Sequence, residues 1–225
     1  MRIAMAAVMA LALGQPAIAQ TVSAPPVAVV LPENILVLDL STGGRVMIAM
    51  RPDVAPNHVE RIRTLARQHF YDGTVFHRVI DGFMAQGGDP TGTGTGGSKL
   101  PNLKAEFNDL PHVRGAVAMA RAGESDSANS QFYICLAPSL KLDHNYTVWG
   151  RVISGMDYVD TIEKGEPPAN PSRIVQASIA TDKVSPPPGM TPLPAVPGTS
   201  AVPLISPATP VPTSAVPAIT VPPSR

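Results

Sequence analysis

Proline divides this chain more sharply than any other residue. Thirteen of its 26 prolines fall within residues 184–225, a stretch with one charged side chain, Arg225. Each proline fixes φ and removes an amide donor, so such a segment favours extended polyproline II over helix or sheet. Ala-Val-Pro recurs at 195–197, 201–203 and 215–217. Fully extended, the segment would reach roughly 130 Å at about 3.1 Å per residue. The charges tell the complementary story. Of 34 charged residues only Arg2, Glu33 and Arg225 lie outside 34–183, so that stretch is where a core is expected, burying roughly 70% of its unfolded surface. The other end reads as an export signal. Arg2 supplies a positive start, Ile3 to Gly14 an apolar run, and Ala17-Ile18-Ala19 a small-residue cleavage site before Gln20. The expected organisation is therefore a signal peptide over 1–19, a linker over 20–33, a globular domain over 34–183 and a disordered Pro-rich tail over 184–225. The product is expected to be exported and soluble after cleavage, with the bacterial periplasm as its compartment.

Several classes fall away early. Seventeen basic and 17 acidic residues cancel, and a pI near 7.0 argues against a nucleic-acid partner. The single cysteine, Cys135, allows neither an internal disulfide framework nor a cysteine-based zinc site. No run of 18 apolar residues exists to span a membrane.

Within the domain, Ile35–Leu40 and Arg45–Met50 flank Ser41-Thr42-Gly43-Gly44 and predict a β-hairpin. Apolar residues at helical spacing predict a helix from Pro56 to Phe70. Short strands are expected at Val75–Ile80, Phe83–Gln86, Gly115–Ala120, Phe132–Leu136, Thr147–Ile153 and Arg173–Ala180, with a second helix at Met156–Glu163. This inventory of eight or so short strands with two helices is mainly β and predicts a closed antiparallel barrel. Closure leaves no free edge, and a monomer is expected.

The search for chemistry is mostly one of elimination. Gly92-Thr93-Gly94-Thr95-Gly96-Gly97 spells a dinucleotide fingerprint, but Asp89-Pro90 before it and Pro101 after it exclude the strand and helix that motif needs, leaving a flexible rim loop. Five histidines without metal-ligand spacing predict no metal site, and no serine sits in a GxSxG elbow. Asn145-Tyr146-Thr147 is a glycosylation sequon by spelling alone. One segment stands apart, Phe76-His77-Arg78-Val79-Ile80-Asp81-Gly82-Phe83-Met84-Ala85-Gln86-Gly87-Gly88-Asp89-Pro90. In strand geometry Phe76, Arg78 and Ile80 share a face, and the turn at Asp81-Gly82 brings Phe83 and Gln86 beside them. By itself Arg78 reads first as a solvated strand arginine.

That segment, with Ser130-Gln131-Phe132-Tyr133-Ile134 and Leu142-Asp143 in order downstream, resembles the cyclophilin family of peptidyl-prolyl cis–trans isomerases from about Ile35 to Ala180. The resemblance implies a closed eight-stranded antiparallel barrel capped by two helices with a substrate groove on its outside, and Arg78 as the catalytic residue. It implies that Phe83, Met84, Tyr133 and Leu142 form a pocket for proline. Gln86 would orient the peptide, Ala120 and Arg121 would form the groove wall, and Tyr146 would complete the site. Phe132 would pack inward. No cofactor is implied, and the expected partners are proline-containing unfolded or partly folded polypeptides. Three positions depart from the family pattern. Tyr133 replaces a phenylalanine and adds a hydroxyl that needs a partner. Lys141 stands where many eukaryotic members have tryptophan, so weak binding of cyclosporin is expected. Tyr146 stands where those members have histidine, as in the bacterial branch. Two rival readings remain: a module or holdase that binds proline segments without turnover, and an envelope component in which the tail matters more than the groove.

Overall fold

A computed structural model describes residues 30–190. The expected signal peptide, most of the linker and the tail beyond residue 190 lie outside the described residues. A short 3-10 turn over Pro32–Asn34 leads into β1 (Ile35–Leu40), which pairs with β2 (Arg45–Met50). Both strands keep their expected bounds. The hairpin's register sets Asp39 opposite Arg45, whose Nε and a terminal nitrogen donate to the carboxylate at 2.7 and 2.9 Å. Asp39 is fully buried, so this bidentate pair satisfies a charge that burial would otherwise penalise.

Helix α1 (Pro56–Arg67) stops three residues short of the expected Phe70. Its apolar side, Val59, Ile62, Leu65 and Ala66, enters the core. Pro56 suits the first turn because its missing amide hydrogen has no helical acceptor there. Ala55 at the cap position has no side-chain acceptor to offer the next amides. Glu106, from a distant loop, takes that role: its carboxylate accepts from the backbone amides of Asn57 and His58 at 3.1 and 3.0 Å.

The remaining strands are β3 (Arg78–Ile80), β4 (Met84–Gly87), β5 (Ala116–Met119), β6 (Phe132–Cys135), β7 (Val148–Ser154) and β8 (Ile174–Ile179). All pair antiparallel in one sheet, in the order β3-β4-β6-β5-β7-β2-β1-β8. The second helix, α2 (Met156–Asp160), is shorter than the expected Met156–Glu163. The architecture is thus mainly β with two helices, but strand pairing does not close it into the expected barrel: β3 and β8 end the sheet. Each end is covered by irregular chain. Val79 of β3 exchanges backbone hydrogen bonds with Gly165, and residues before β3 bond to the start of β8 through Gly73 N to Ile174 O and Phe76 N to Ser172 O. These contacts blunt both edges without a complete ladder.

They also correct the expected facing of Phe76. The strand starts only at Arg78, so alternation does not extend back to Phe76, which is fully buried in the core with Val79. From β4 to β6 alternation is strict. Ala85, Val117, Met119, Phe132 and Ile134 point into the main core, while Met84, Ala116, Ala118, Tyr133 and Cys135 form a second apolar layer outside it. Phe132 packs edge-on against Tyr71 and Trp149, as expected for an inward aromatic.

Candidate active site

Sheet register builds the site. Arg78 on β3 lies opposite Gln86 on β4, Gln86 opposite Tyr133 on β6, and Tyr133 opposite Ala118 on β5. One row across four strands therefore places a guanidinium, an amide and an aromatic ring side by side on the outer face. The next row sets Ile80 opposite Met84. Phe83, from the turn between β3 and β4, is fixed by Phe83 N to Ile80 O and by Leu136 N to Phe83 O. The 3-10 turn at Leu140–Leu142 delivers Leu142. All nine site residues expected from sequence line one cavity of about 160 Å³: Arg78, Phe83, Met84, Gln86, Ala120, Arg121, Tyr133, Leu142 and Tyr146. Met84 and Tyr133 are buried in its floor, and the others are half-buried around it.

The walls are held from behind. The Tyr133 ring meets Tyr146 edge-on, with centroids 5.9 Å apart, and lies nearly parallel to His112 at 6.1 Å. Burial pushes the imidazole pKa of His112 down, outweighing the Asp143 carboxylate 2.8 Å from its Nδ1. The hydroxyl of Tyr133 is buried without a hydrogen-bond partner, and burial raises its pKa further. The partner this extra hydroxyl calls for is not supplied by the described residues. Arg121 lies with its guanidinium carbon 4.7 Å from the Tyr146 ring centroid, and it donates to the backbone oxygens of Asn145, Ala122 and Gly123.

A larger cavity of about 560 Å³ adjoins this one, sharing Gln86, Ala120 and Arg121 and bounded by the loop from Gly94 to Ser98. That loop, expected to be a flexible rim, is pinned by the buried carboxylate of Asp89. Thr91 N, Thr91 Oγ1, Gly94 N and Gly96 N all donate to it at 2.7 to 3.0 Å. Burial opposes ionisation of Asp89, but these bonds outweigh it and hold the pKa at about 2. A Cβ on Gly96 would sit 2.1 Å from a carboxylate oxygen of Asp89, so the close approach requires glycine. Gln131 then carries the loop's position to the groove: its Nε2 donates to Gly94 O and Gly96 O, and its Oε1 accepts from Gln86 Nε2 at 2.9 Å.

Two neighbours of the site were not singled out as site residues from the sequence: Gln131, and Glu166, whose Oε2 accepts from Arg78 Nε at 2.7 Å. Gln131 lay inside a recognised motif and was the more findable. Neither terminal nitrogen of Arg78 makes a hydrogen bond within the described residues.

A family model described as cyclophilin-type peptidyl-prolyl cis-trans isomerase/CLD matches residues 37–179. The chain belongs to the cyclophilin family. A probable peptidyl-prolyl cis-trans isomerase of Brucella suis is 44% identical over 196 residues, covering 80% of this chain and 95% of that one. Peptidyl-prolyl cis-trans isomerase B of Bacillus subtilis is 41% identical over 129 residues, covering 56% of this chain and 89% of the relative. Among solved structures, the cyclophilin AquaCyp293 from Hirschia baltica superimposes with a TM-score of 0.65 at 31% identity, over 71% of this chain and 78% of its own. This cyclophilin is accordingly a peptidyl-prolyl cis–trans isomerase, and its pocket lies on the outer face of a sheet whose inner face holds the core.

Proposed function

We propose that this cyclophilin is an exported isomerase of the bacterial periplasm, acting as a monomer on X–Pro bonds of unfolded or partly folded exported proteins through Arg78. The N-terminal sequence that resembles an export signal supports export, and the Brucella and Bacillus relatives support a bacterial host. The intramolecular cover on both sheet edges supports the monomer.

The observation that carries the mechanism is a guanidinium with unengaged terminal nitrogens in the wall of a small apolar pocket. Rotation about the peptide bond costs about 18–20 kcal/mol because the C–N bond has partial double-bond character. No covalent step is needed to lower that barrier; the protein has only to bind the twisted amide better than either planar form. Phe83, Met84, Tyr133 and Leu142 hold the proline ring while the acyl side turns. In the twisted state the prolyl nitrogen regains its lone pair and accepts from Arg78, an interaction largely absent in both ground states. Gln86, fixed by Gln131, and the chain near Arg121 hold the flanking amides.

Arg78→Ala tests this directly. Its side chain is 42% exposed, so the fold should survive. By analogy with the loss of one oxyanion-hole donor, turnover should fall by roughly a hundredfold or more, with much less change in peptide binding. Near wild-type turnover by the folded variant would defeat the assignment and favour a binding module.

A further inference from the structure

We propose that Glu166 is a positioning residue for the reaction: it fixes the guanidinium of Arg78 by its Nε and leaves both terminal nitrogens directed at the substrate amide. This rests on the reading of Arg78 as the catalytic group. Glu166 does not line the proline pocket. It borders a separate cleft of about 380 Å³ with Pro167, Gly92 and Thr93, on which Arg78 and Gln86 also front. Arg78 therefore stands between the two cavities, with its pairing partner on one side and the proline pocket on the other.

The backbone shows why this contact is more than a chance surface pair. Glu166 follows Gly165, which exchanges two hydrogen bonds with Val79, the residue next to Arg78: Val79 N to Gly165 O at 2.8 Å and Gly165 N to Val79 O at 2.9 Å. Gly165 has φ +146°, and a Cβ there would come within 2.6 Å of Pro168 Cα, so the connection demands glycine. A second clamp joins the same loop to the turn after β3, where Lys164 Nζ lies 2.6 Å from Asp81 Oδ1. The carboxylate and the guanidinium are thus carried on segments tied together on both sides of the pair. A half-exposed arginine loses much conformational freedom when ordered. Engaging Nε selects one orientation of its rigid fork before substrate arrives, which lowers that cost in the twisted state.

In the full-length protein, Glu166→Ala should lower kcat about fivefold with KM within about twofold, since a misplaced donor costs rate more than ground-state binding. Glu166→Gln should recover most of that loss, because its amide oxygen still accepts from Nε. In an Arg78→Ala background, where residual turnover is measurable at high protein concentration, Glu166→Ala should add nothing further. The Arg78 Nε–Hε resonance in 15N-labelled protein should move in Glu166→Ala and stay near its original position in Glu166→Gln. Unchanged kcat in folded Glu166→Ala would overturn the proposal. So would an equal loss with Arg78 already removed, since Glu166 would then act through the loop and not through the guanidinium. If Glu166→Ala fails to fold, Glu166→Gln and its resonance decide alone: retained turnover with the signal in place supports the proposal, and retained turnover with a displaced signal defeats it. Should Arg78→Ala prove active, the reading of Arg78 fails first. An inactive Arg78→Ala beside a fully active Glu166→Ala would remove only the role of Glu166.

Discussion

Lys141 holds its ammonium 5.7 Å from the centroid of the Phe83 ring, at the rim of the cavity beside Arg78 but outside its lining. A cation over an aromatic face at an exposed site contributes about 0.5–1 kcal/mol. It offers neither the flat apolar area nor the indole donor that a tryptophan at this position would bring. Lys141→Trp should therefore tighten inhibition by cyclosporin, with turnover on short peptides changed by less than about twofold; inhibition curves on the two proteins check this. Tight inhibition of the unmodified protein would show that the rim contact has been overvalued. Single residues were legible in the sequence to very different degrees. By its own segment Arg78 is an ordinary strand arginine, because its surroundings come from β4, β6 and a turn far along the chain. Glu166 gave no signal: it is 88 residues from Arg78, in a Gly-Glu-Pro-Pro loop without periodicity. A pair that only tertiary structure brings together leaves no local trace.

The glycine-rich loop between β4 and β5 behaves as an element in its own right because one carboxylate organises it. Asp89 has its pKa held at about 2 in the folded protein, against about 3.9 in an unfolded chain. A depressed carboxylate stabilises the fold fully above its unfolded pKa and loses that contribution as pH falls toward the folded value. The shift corresponds to stability on the order of 2 kcal/mol, present at pH 5–7 and fading between about pH 4 and 2. Urea unfolding across that range should show the loss in the native protein and a smaller acid dependence in Asp89→Asn. The same variant turns an amide NH2 toward amides that now donate to oxygen. It should loosen the 91–97 loop, release Gln131 and raise KM more than it lowers kcat. Regular elements with a single strong pattern were readable from sequence, as the hairpin β1–β2 shows: alternation and the Gly43-Gly44 turn specify the same pairing. Phe76 was not, since its segment bonds to the start of β8, and which distant strand a short run pairs with is not encoded in its own alternation. Asp89 leaves no local signal for a related reason, as its four donors follow it in a loop with no repeating pattern.

At the scale of the whole molecule, the fold class was legible and its closure was not. Eight short strands predict a barrel, whereas the two ends of the sheet meet through isolated bridges and single hydrogen bonds around Val75, Val79 and Gly165. Residues 184 and 185 run near β2 and β8: Val184 O accepts from Arg45, and Ser185 O accepts from Gln176. None of these four lines the groove. Removing residues 184–225 should accordingly leave peptide isomerisation within about twofold, since it costs only these contacts away from the groove, and such changes seldom move more than about ±0.5 kcal/mol. A several-fold rise on truncation, reversed by the free tail peptide, would mean that the tail occupies the groove. The strict alternation from β4 to β6 has a longer reach. Met84, Gln86 and Tyr133 face the groove, while Ala85, Phe132 and Ile134, their neighbours in the chain, face the core. Two inventories are thus interleaved in the same few codons, one lining the groove and the other building the core. Mutation can sample the first while the second stays untouched, which makes this surface a place where new substrate preferences can evolve without rebuilding the scaffold beneath.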